Sequence, residues 1–320
     1  MRQAGRILPE YRAIRNSLSG FIELVTTPHL AAEVTVQPVD ILGVDAAIIF
    51  SDILVIPECM GLPYQLIEKK GPYFPETIKT AADIEKLESG QSAAEKLTYV
   101  YDALDHTKKA LNGRVPLIGF AGAPWTLFSY MLEGQGSKTF SKAKAFLYKE
   151  PVLAHKLLEK ITETTIAYLK LKIKAGADVV QVFDSWAGVL DRILYKTFAI
   201  PYIQRIVDAI TEVPVIAFSK GAYFAMDDIV DLQSDVIGLD WTVNRKEWRA
   251  KYGAERVVQG NLDPCTLYGD HATIDNRVES IISDLGPHHI FNLGHGVYPD
   301  TPLDNVKYLI NKVKSHKYHT

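Results

Sequence analysis

Residues 178–185, DVVQVFDS, decide the fold, because a nearly unbroken apolar run there ends in an acid and a hydroxyl. Near-continuous hydrophobicity over five or six residues is typical of a strand covered on both faces, as in a parallel sheet. We therefore predict seven parallel strands, because six more runs share the pattern: 45–52 (DAAIIFSD), 115–122 (VPLIGFAG), 213–220 (VPVIAFSK), 236–240 (VIGLD), 257–264 (VVQGNLDP) and 288–296 (HHIFNLGHG).

Helical patterns separate these runs. Residues 152–175 place apolar side chains at spacings of four and seven, as on one face of a helix. The last helix is predicted to have Thr301 as its N-cap and Pro302 at its first position. Repeated strand–helix units predict an α/β fold, here a (β/α)8 TIM barrel forming a single domain over residues 1–320. An eighth strand is needed for closure, and its place lies before Met1, so we expect the first strand to be truncated.

Composition excludes several classes of function. The chain has 320 residues and a formal net charge of −3, which predicts neither a nucleic-acid partner nor a membrane surface. Its two cysteines, Cys59 and Cys265, are far apart, so a disulfide framework is not expected. A stretch of 18 apolar residues does not occur, and the expected location is the cytoplasm.

The predicted strands end in polar residues. Ligands bind at the carboxyl ends of the strands in parallel α/β folds. Any one of these residues is equally consistent with helix capping, but the complete ring indicates a functional site. Its members are Ser51, Asp52, Asp184, Ser185, Ser219, Lys220, Asp240, Asn261, Asp263 and His295.

Two arginines near the start of the chain suit the recognition of carboxylates. Arg2 and Arg6 are four residues apart with Gly5 between them, and guanidinium groups form paired, charge-assisted bonds with carboxylates. Other chemistries lack a signature. The sequence contains no GxGxxG after a strand, no GxxxxGK[ST], no GxSxG and no HExxH or HxC, so neither a nucleotide site nor a metal site is predicted.

Six motifs in chain order resemble the uroporphyrinogen decarboxylase family. The resemblance covers essentially the whole chain and is carried by residues 1–11 (MRQAGRILPEY), 49–55 (IFSDILV), 119–127 (GFAGAPWTL), 238–242 (GLDWT), 259–264 (QGNLDP) and 292–296 (NLGHG).

The resemblance implies a cofactor-free and metal-free enzyme on a (β/α)8 barrel. Such an enzyme removes the carboxyl groups of the four acetate side chains of uroporphyrinogen, giving coproporphyrinogen in haem biosynthesis. A tetrapyrrole substrate and a homodimer are therefore expected.

The resemblance also implies roles for individual residues. Asp52 matches the aspartate that contacts the pyrrole nitrogens, and Arg2 and Arg6 match arginines that bind substrate carboxylates. Arg2, or a water that it holds, is the hypothetical proton donor. The remaining implied site residues position the substrate, line the cleft or relay a proton, and they are Phe120, Tyr130, Phe183, Ser185 and His295.

One departure from the family pattern leaves alternatives open. The family has about two dozen residues, including the first barrel strand, before the arginine motif with which this sequence begins. A barrel that binds tetrapyrroles without turnover is therefore one alternative. A methyltransferase of the same superfamily is another, although it requires a thiolate-rich zinc site with an HxC pattern that this sequence lacks.

Overall fold

The computed structural model describes residues 3–67 and 71–317. Seven parallel strands form one sheet, and a separate antiparallel pair forms a hairpin. The strands are β1 (Ala47–Ile48), β2 (Gln65–Ile67), β3 (Gly71–Tyr73), β4 (Leu117–Gly122), β5 (Val179–Asp184), β6 (Val215–Ser219), β7 (Val236–Gly238), β8 (Val258–Leu262) and β9 (His289–Leu293). The order of the strands in the large sheet is β1-β4-β5-β6-β7-β8-β9, and every predicted apolar run supplies one of them.

The seven-stranded sheet curls around a common interior. Ile48 of the first strand and Leu293 of the last line the same small void, which has a volume of about 30 Å³. Within the described ranges, β1 pairs only with β4 and β9 only with β8, so the sheet has two edges. The architecture is therefore the curled parallel sheet of a (β/α) barrel, with a seam between β1 and β9.

Helices follow the strands and pack outside the sheet. The predicted helix over residues 152–175 is confirmed as α10, which buries Leu157 and Ile161 completely. The α-helices are α1 (Pro9–Asn16), α2 (Phe21–Thr26), α3 (Pro28–Leu42), α4 (Val55–Cys59), α5 (Ala81–Lys86), α6 (Gly90–Ala94), α7 (Thr98–Leu111), α8 (Pro124–Glu133), α9 (Ser141–Lys149), α10 (Pro151–Lys174), α11 (Arg192–Phe198), α12 (Ile200–Ala209), α13 (Met226–Val230), α14 (Arg245–Tyr252), α15 (His271–Leu285) and α16 (Leu303–Ser315).

Short 3-10 helices occupy Ala4–Ile7, Ala187–Val189, Tyr223–Ala225 and Pro264–Tyr268. Helix α16 begins at Leu303, one residue later than predicted. Thr301 does not cap it, because its hydroxyl accepts a hydrogen bond from the Tyr298 amide at 3.1 Å. None of the helices in the described ranges is long and apolar enough to cross a membrane.

The N-terminal segment is fastened across the seam. The guanidinium of Arg12 donates to the carbonyl of Pro299 at 2.6 Å and to that of Arg6 at 3.2 Å. Ile7 and Leu8 are buried beside this contact. The first 3-10 helix and α1 therefore lie against the loop between β9 and α16, where they bring Arg6 to the mouth of the barrel.

Candidate active site

A cavity of about 1080 Å³ runs along β1 to the carboxyl ends of β1, β4 and β5. Small-molecule sites span about 300–1000 Å³, so this cavity is large for an enzyme pocket. It is lined by four residues that the sequence assigns to the site, namely Arg6, Asp52, Phe120 and Phe183. Residues from the start of the chain and from as far along it as Phe183 thus face one space.

Asp52 lies four residues after the end of β1 and is held there by hydrogen bonds on both sides of it. One of its carboxylate oxygens accepts from the amide of Leu54 at 2.7 Å, in a local turn typical of aspartate. The amide of Phe50 donates to the hydroxyl of Thr35 at 2.8 Å, which fixes the chain just before Asp52. The carboxylate position is therefore set by the backbone around it.

The charge of Asp52 affects its neighbours. Burial first, and then the negative charge of Asp52, raise the pKa of Glu58. The same two causes, in the same order, raise the pKa of Tyr64. The carboxylate of Asp52 is therefore close enough to act electrostatically on both of these side chains.

Arg6 reaches the cavity from the seam side. Its Nη1 donates to the carbonyl of Val297 at 3.4 Å, and burial lowers the pKa of its guanidinium. Tyr11 and Arg15 line the same wall. Arg2, the other predicted carboxylate-binding arginine, lies outside the described residues.

Two phenylalanines, Phe120 and Phe183, form an apolar wall of the large cavity. The rings of Phe120 and Phe183 meet edge to face with 5.7 Å between centroids, and Phe183 meets Phe218 in the same way at 5.9 Å. Behind Phe120, the fully buried Lys172 donates to the carbonyl of Phe120 at 2.8 Å. This lysine, which the sequence analysis did not single out, anchors the end of β4 from the helix side.

The end of β5 carries Asp184 and Ser185. Asp184 is completely buried, accepts from the hydroxyl of Thr126 at 2.6 Å, and has its pKa raised to about 6 by burial. The hydroxyl of Ser185 is buried and has no hydrogen-bond partner in the part of the chain that the structure describes. Buried polar groups are normally satisfied, so Ser185 presents an open donor and acceptor at the strand end.

Tyr130 and His295 each contact the ring of a different tryptophan. The Tyr130 ring meets Trp186 at 6.2 Å, and the His295 ring meets Trp241 at 6.3 Å, both edge to face. His295 also lines the small interior void together with Phe183. It follows Gly294, where a Cβ would lie 2.6 Å from the backbone nitrogen of Trp241, so only glycine fits there.

The predicted site residues therefore form two groups. Arg6, Asp52, Phe120 and Phe183 share the large cavity, and Phe183 joins His295 at the small void. Tyr130 and Ser185 line neither space, although both neighbour Trp186, one by ring contact and the other in sequence. Within residues 3–67 and 71–317, no three histidine, cysteine or acidic side chains are grouped so that they could hold a metal ion.

Sequence reasoning missed several groups that surround these residues. Tyr11 lies inside the arginine motif, and its position next to Arg6 was the only signal for it. Trp186 and Trp241 directly follow polar strand ends, which is the pattern that marked Ser185 and Asp240. Lys172 gave no signal, because it lies within a helical pattern whose other lysines are mostly exposed.

The whole chain is similar to known proteins of one family. The family model described as uroporphyrinogen decarboxylase matches residues 1–316. Proteins named uroporphyrinogen decarboxylase from Chlorobaculum parvum and Chlorobium limicola are 49% and 50% identical to it over 330 residues, covering 100% of this chain and 93% of each relative. A protein of the same name from Myxococcus xanthus is 50% identical over 319 residues, covering 99% of this chain and 91% of its own.

Solved structures support the fold alone. A methyltransferase from Methanosarcina mazei has a TM-score of 0.81 at 19% identity, covering 95% of this chain and 90% of its own. A B12-independent methionine synthase from Shewanella sp. W3-18-1 has a TM-score of 0.58 at 12% identity, covering 93% of this chain and 88% of its own.

Proposed function

The chain belongs to the uroporphyrinogen decarboxylase family, and on this premise we propose that it converts uroporphyrinogen into coproporphyrinogen by releasing four molecules of CO2. The observation that carries the proposal is the shared cavity, in which Asp52 and Arg6 face the same space beside an apolar wall. A macrocycle with acidic side chains requires a carboxylate that stabilises positive charge, a guanidinium that binds carboxylates and a flat hydrophobic surface.

Each decarboxylation breaks the bond between the acetate CH2 and its carboxylate. The electron pair of that bond needs an acceptor, and a pyrrole protonated at its α-carbon is a cationic ring that can take it up. CO2 leaves, the exocyclic methylene accepts a proton to become a methyl group, and the ring loses the proton that it gained. One proton is consumed for each CO2 released, and the substrate itself serves as the electron sink.

We assign the stabilisation of this cation to Asp52. Its carboxylate would accept hydrogen bonds from the pyrrole N–H groups and oppose the positive charge that develops on the ring. The Leu54 amide already holds one carboxylate oxygen at 2.7 Å, so little reorganisation accompanies the reaction. A preorganised group of this kind is worth about 3 kcal/mol of transition-state stabilisation.

We assign the recognition of substrate carboxylates to Arg6 and Arg2. The guanidinium of Arg6 is half-buried at the seam, where its hydrogen bonds to a carboxylate would be strengthened by the low local polarity. The role of Arg2, including proton donation directly or through a bound water, rests on the family resemblance.

The remaining predicted residues complete the site in this proposal. Phe120 and Phe183 would lie beside the macrocycle, and the unsatisfied hydroxyl of Ser185 would take up one hydrogen bond with a side-chain acid. Tyr130 and His295 would position other carboxylates or relay the proton. Their rings are held by Trp186 and Trp241, which restricts their motion at the barrel mouth.

Family membership also supports three coarser proposals. The chain would act as a single domain over residues 1–320, would work in the cytoplasm, and would assemble as a homodimer. Light scattering on the purified protein tests the last of these, with a mass of twice 35.7 kDa as the expected result and a mass of 35.7 kDa as the opposing one.

Incubation with uroporphyrinogen under reducing conditions tests the proposed function. Chromatography of the products should show species with seven, six, five and finally four carboxylates. Wild-type protein that leaves the substrate unchanged would contradict the proposal. A barrel that only binds tetrapyrroles would give that result together with measurable binding of the substrate.

A further inference from the structure

Lys172 is a fully buried lysine on α10, and its Nζ donates to the carbonyl of Phe120 at 2.8 Å. Burial lowers the pKa of its amine well below the ordinary value, and no acid within the described residues offsets that effect. Buried charged groups are normally paired, because an unpaired charge is costly in apolar surroundings. An apolar side chain would fill this position at a lower cost, so the contact with Phe120 calls for a specific reason.

The carbonyl of Phe120 continues a series along one edge of β4. The carbonyls of Pro116 and Ile118 accept hydrogen bonds from the amides of Ala47 and Ile49, at 2.9 and 3.1 Å. Alternate carbonyls of β4 therefore point towards β1, as in any parallel ladder. Phe120 is the next residue in this series, so its carbonyl also points to the β1 side.

At Phe120 the donor is a side chain and no longer a strand amide. The chain after β1 turns away there, since the amide of Phe50 donates to the hydroxyl of Thr35 on α3 at 2.8 Å. Lys172 reaches the edge of β4 from α10 and supplies an N–H in place of the ladder. A buried carbonyl without a donor is costly, so this substitution of donors allows β1 and β4 to part.

The large cavity opens where the two strands part. Residues 50–52 line it on the β1 side, and Phe120 lines it on the β4 side. The Nζ of Lys172 lies 4.7 Å from the ring centroid of Phe120 and 4.3 Å from that of Tyr168, so the amine sits against both ring faces. Lys172 therefore contacts the carbonyl and the ring of Phe120 together, and it fixes both relative to α10.

We propose that Lys172 is a positioning residue, which holds Phe120 so that the aromatic wall of the cavity keeps its place against the macrocycle. Lys172 lies behind this wall and acts through Phe120, which faces the cavity. The inference rests on the proposed function for its substrate.

Kinetics of Lys172→Met test the assignment. Methionine fills a similar volume without a donor, so the carbonyl of Phe120 loses its partner and the ring loses its support. KM for uroporphyrinogen should rise about tenfold, because a misplacement of about 1 Å at a binding surface costs up to about 100-fold. The change in kcat should be smaller, since Asp52 keeps its own hydrogen bond from the Leu54 amide. Lys172→Gln retains an N–H donor without a charge and should recover most of the loss.

Two controls separate positioning from stability. Lys170→Met makes the same change at an exposed lysine of α10 and should behave as wild type. Val278→Ala removes buried apolar volume from α15, so it should lower the melting temperature and leave KM unchanged. All variants are assayed well below their melting temperatures, where a loss of stability alone does not alter KM.

A binding measurement separates this inference from the proposed function. Uroporphyrin, the oxidised macrocycle, is the probe, and its affinity is measured by quenching of tryptophan fluorescence. Lys172→Met should bind it about tenfold more weakly than Lys170→Met does. This result would support the assignment even if wild-type protein failed to decarboxylate.

Three results would overturn the assignment and leave the proposed function intact. One is a Lys172→Met variant that binds uroporphyrin and turns over uroporphyrinogen as wild type does. Another is a lowered melting temperature in Lys172→Met with unchanged KM, because a lysine that only stabilises the fold would give that result. The third is an equal rise in KM for Lys172→Met and Lys172→Gln, since the donor would then have no role. Wild-type protein that neither binds uroporphyrin nor turns over uroporphyrinogen would overturn both proposals.

If Lys172→Met does not fold, a crystal structure of wild-type protein with uroporphyrin decides the matter. The Phe120 ring should lie against the macrocycle, with the Nζ of Lys172 within about 3.2 Å of the Phe120 carbonyl. A Phe120 ring that lies away from the macrocycle would overturn the assignment.

Discussion

At the scale of single residues, the proposed activity depends on the positions of two charged side chains. Asp52 is in the loop that follows β1, and Arg6 is in a short helical turn. Their common cavity arises because the contact from Arg6 to Val297 spans 291 positions of sequence. Strand-end patterns in the sequence could indicate Asp52, but nothing in the spacing of the arginines indicates the wall against which they pack.

Replacement of Asp52 by alanine should lower kcat by a factor of about 10²–10³ with a smaller change in KM, because a preorganised charge is lost. Asp52→Glu should also lose much of the activity, since the longer side chain misplaces the carboxylate. Steady-state kinetics with uroporphyrinogen measure both effects. Asp45→Ala, which changes an exposed acid two residues before β1, should keep wild-type rates. Near-normal turnover by Asp52→Ala would refute the assigned role.

Replacement of Arg6 by lysine should raise KM about tenfold while kcat changes less, because the ammonium cannot form the paired bonds of a guanidinium. The matched control is Arg277→Lys on the exposed face of α15. If both variants showed the same KM as wild type, Arg6 would have to be regarded as a residue that fastens the seam and does not touch substrate.

At the scale of elements, the local sequence pattern predicts the strands of the large sheet well, but it does not predict the separate β2–β3 hairpin. The run 178–185 forms β5 (Val179–Asp184), and the other six runs also form strands. A short, continuous apolar run is typical of a strand that is covered on both faces. The β2–β3 hairpin was not predicted. Its second strand, Gly71–Tyr73, contains glycine and proline, which weaken any strand signal, and Tyr73 also pairs with Gln135 at a distance in sequence.

The buried carboxyl of Asp184, at the end of β5, should make the free energy of unfolding depend on pH. Burial raises the pKa of Asp184 from 3.8 to about 6, so the folded chain keeps a proton that the unfolded chain releases. Stability from this group is complete well below the unfolded pKa of 3.8 and is lost as pH rises through the folded pKa of about 6, by about 3 kcal/mol in total. Asp184→Asn cannot ionise and can still accept from Thr126.

Urea unfolding from pH 4 to pH 7 measures this effect. The free energy of unfolding of wild type should fall over that interval by about 2 kcal/mol more than that of Asp184→Asn, because the carboxyl of the unfolded chain is already partly ionised at pH 4. Asp45→Asn, which changes an exposed acid, should follow wild type. Parallel curves for wild type and Asp184→Asn would show that folding does not raise the pKa of Asp184.

The loop after β9 should tolerate no side chain at Gly294. A Cβ there would lie 2.6 Å from the Trp241 nitrogen and 3.1 Å from the Cα of Asp240, both of them backbone atoms. Gly294→Ala should therefore lower the free energy of unfolding by about 1–3 kcal/mol and reduce turnover by displacing His295. Gly136→Ala, where a Cβ meets nothing within 4 Å, is the control. Equal melting temperatures for the two variants would contradict the close packing described.

At the scale of the whole molecule, a curled sheet brings residues from distant parts of the sequence to one mouth. The sequence predicts the fold class and most of the strand-end residues, because the apolar run of each strand and the polar residues that follow it are both visible locally in the sequence. It does not predict which strand ends share a cavity, since that depends on the curl of the sheet and on the seam. Lys220 illustrates this, because its two indole neighbours, Trp186 and Trp241, come from the ends of other strands.

The most direct test of the central claim is a crystal structure of this protein with coproporphyrinogen bound. A carboxylate oxygen of Asp52 should lie about 2.7–3.2 Å from the pyrrole nitrogens, and Arg6 should contact a carboxylate of the same molecule. A macrocycle bound elsewhere, or one whose nitrogens face away from Asp52, would contradict it.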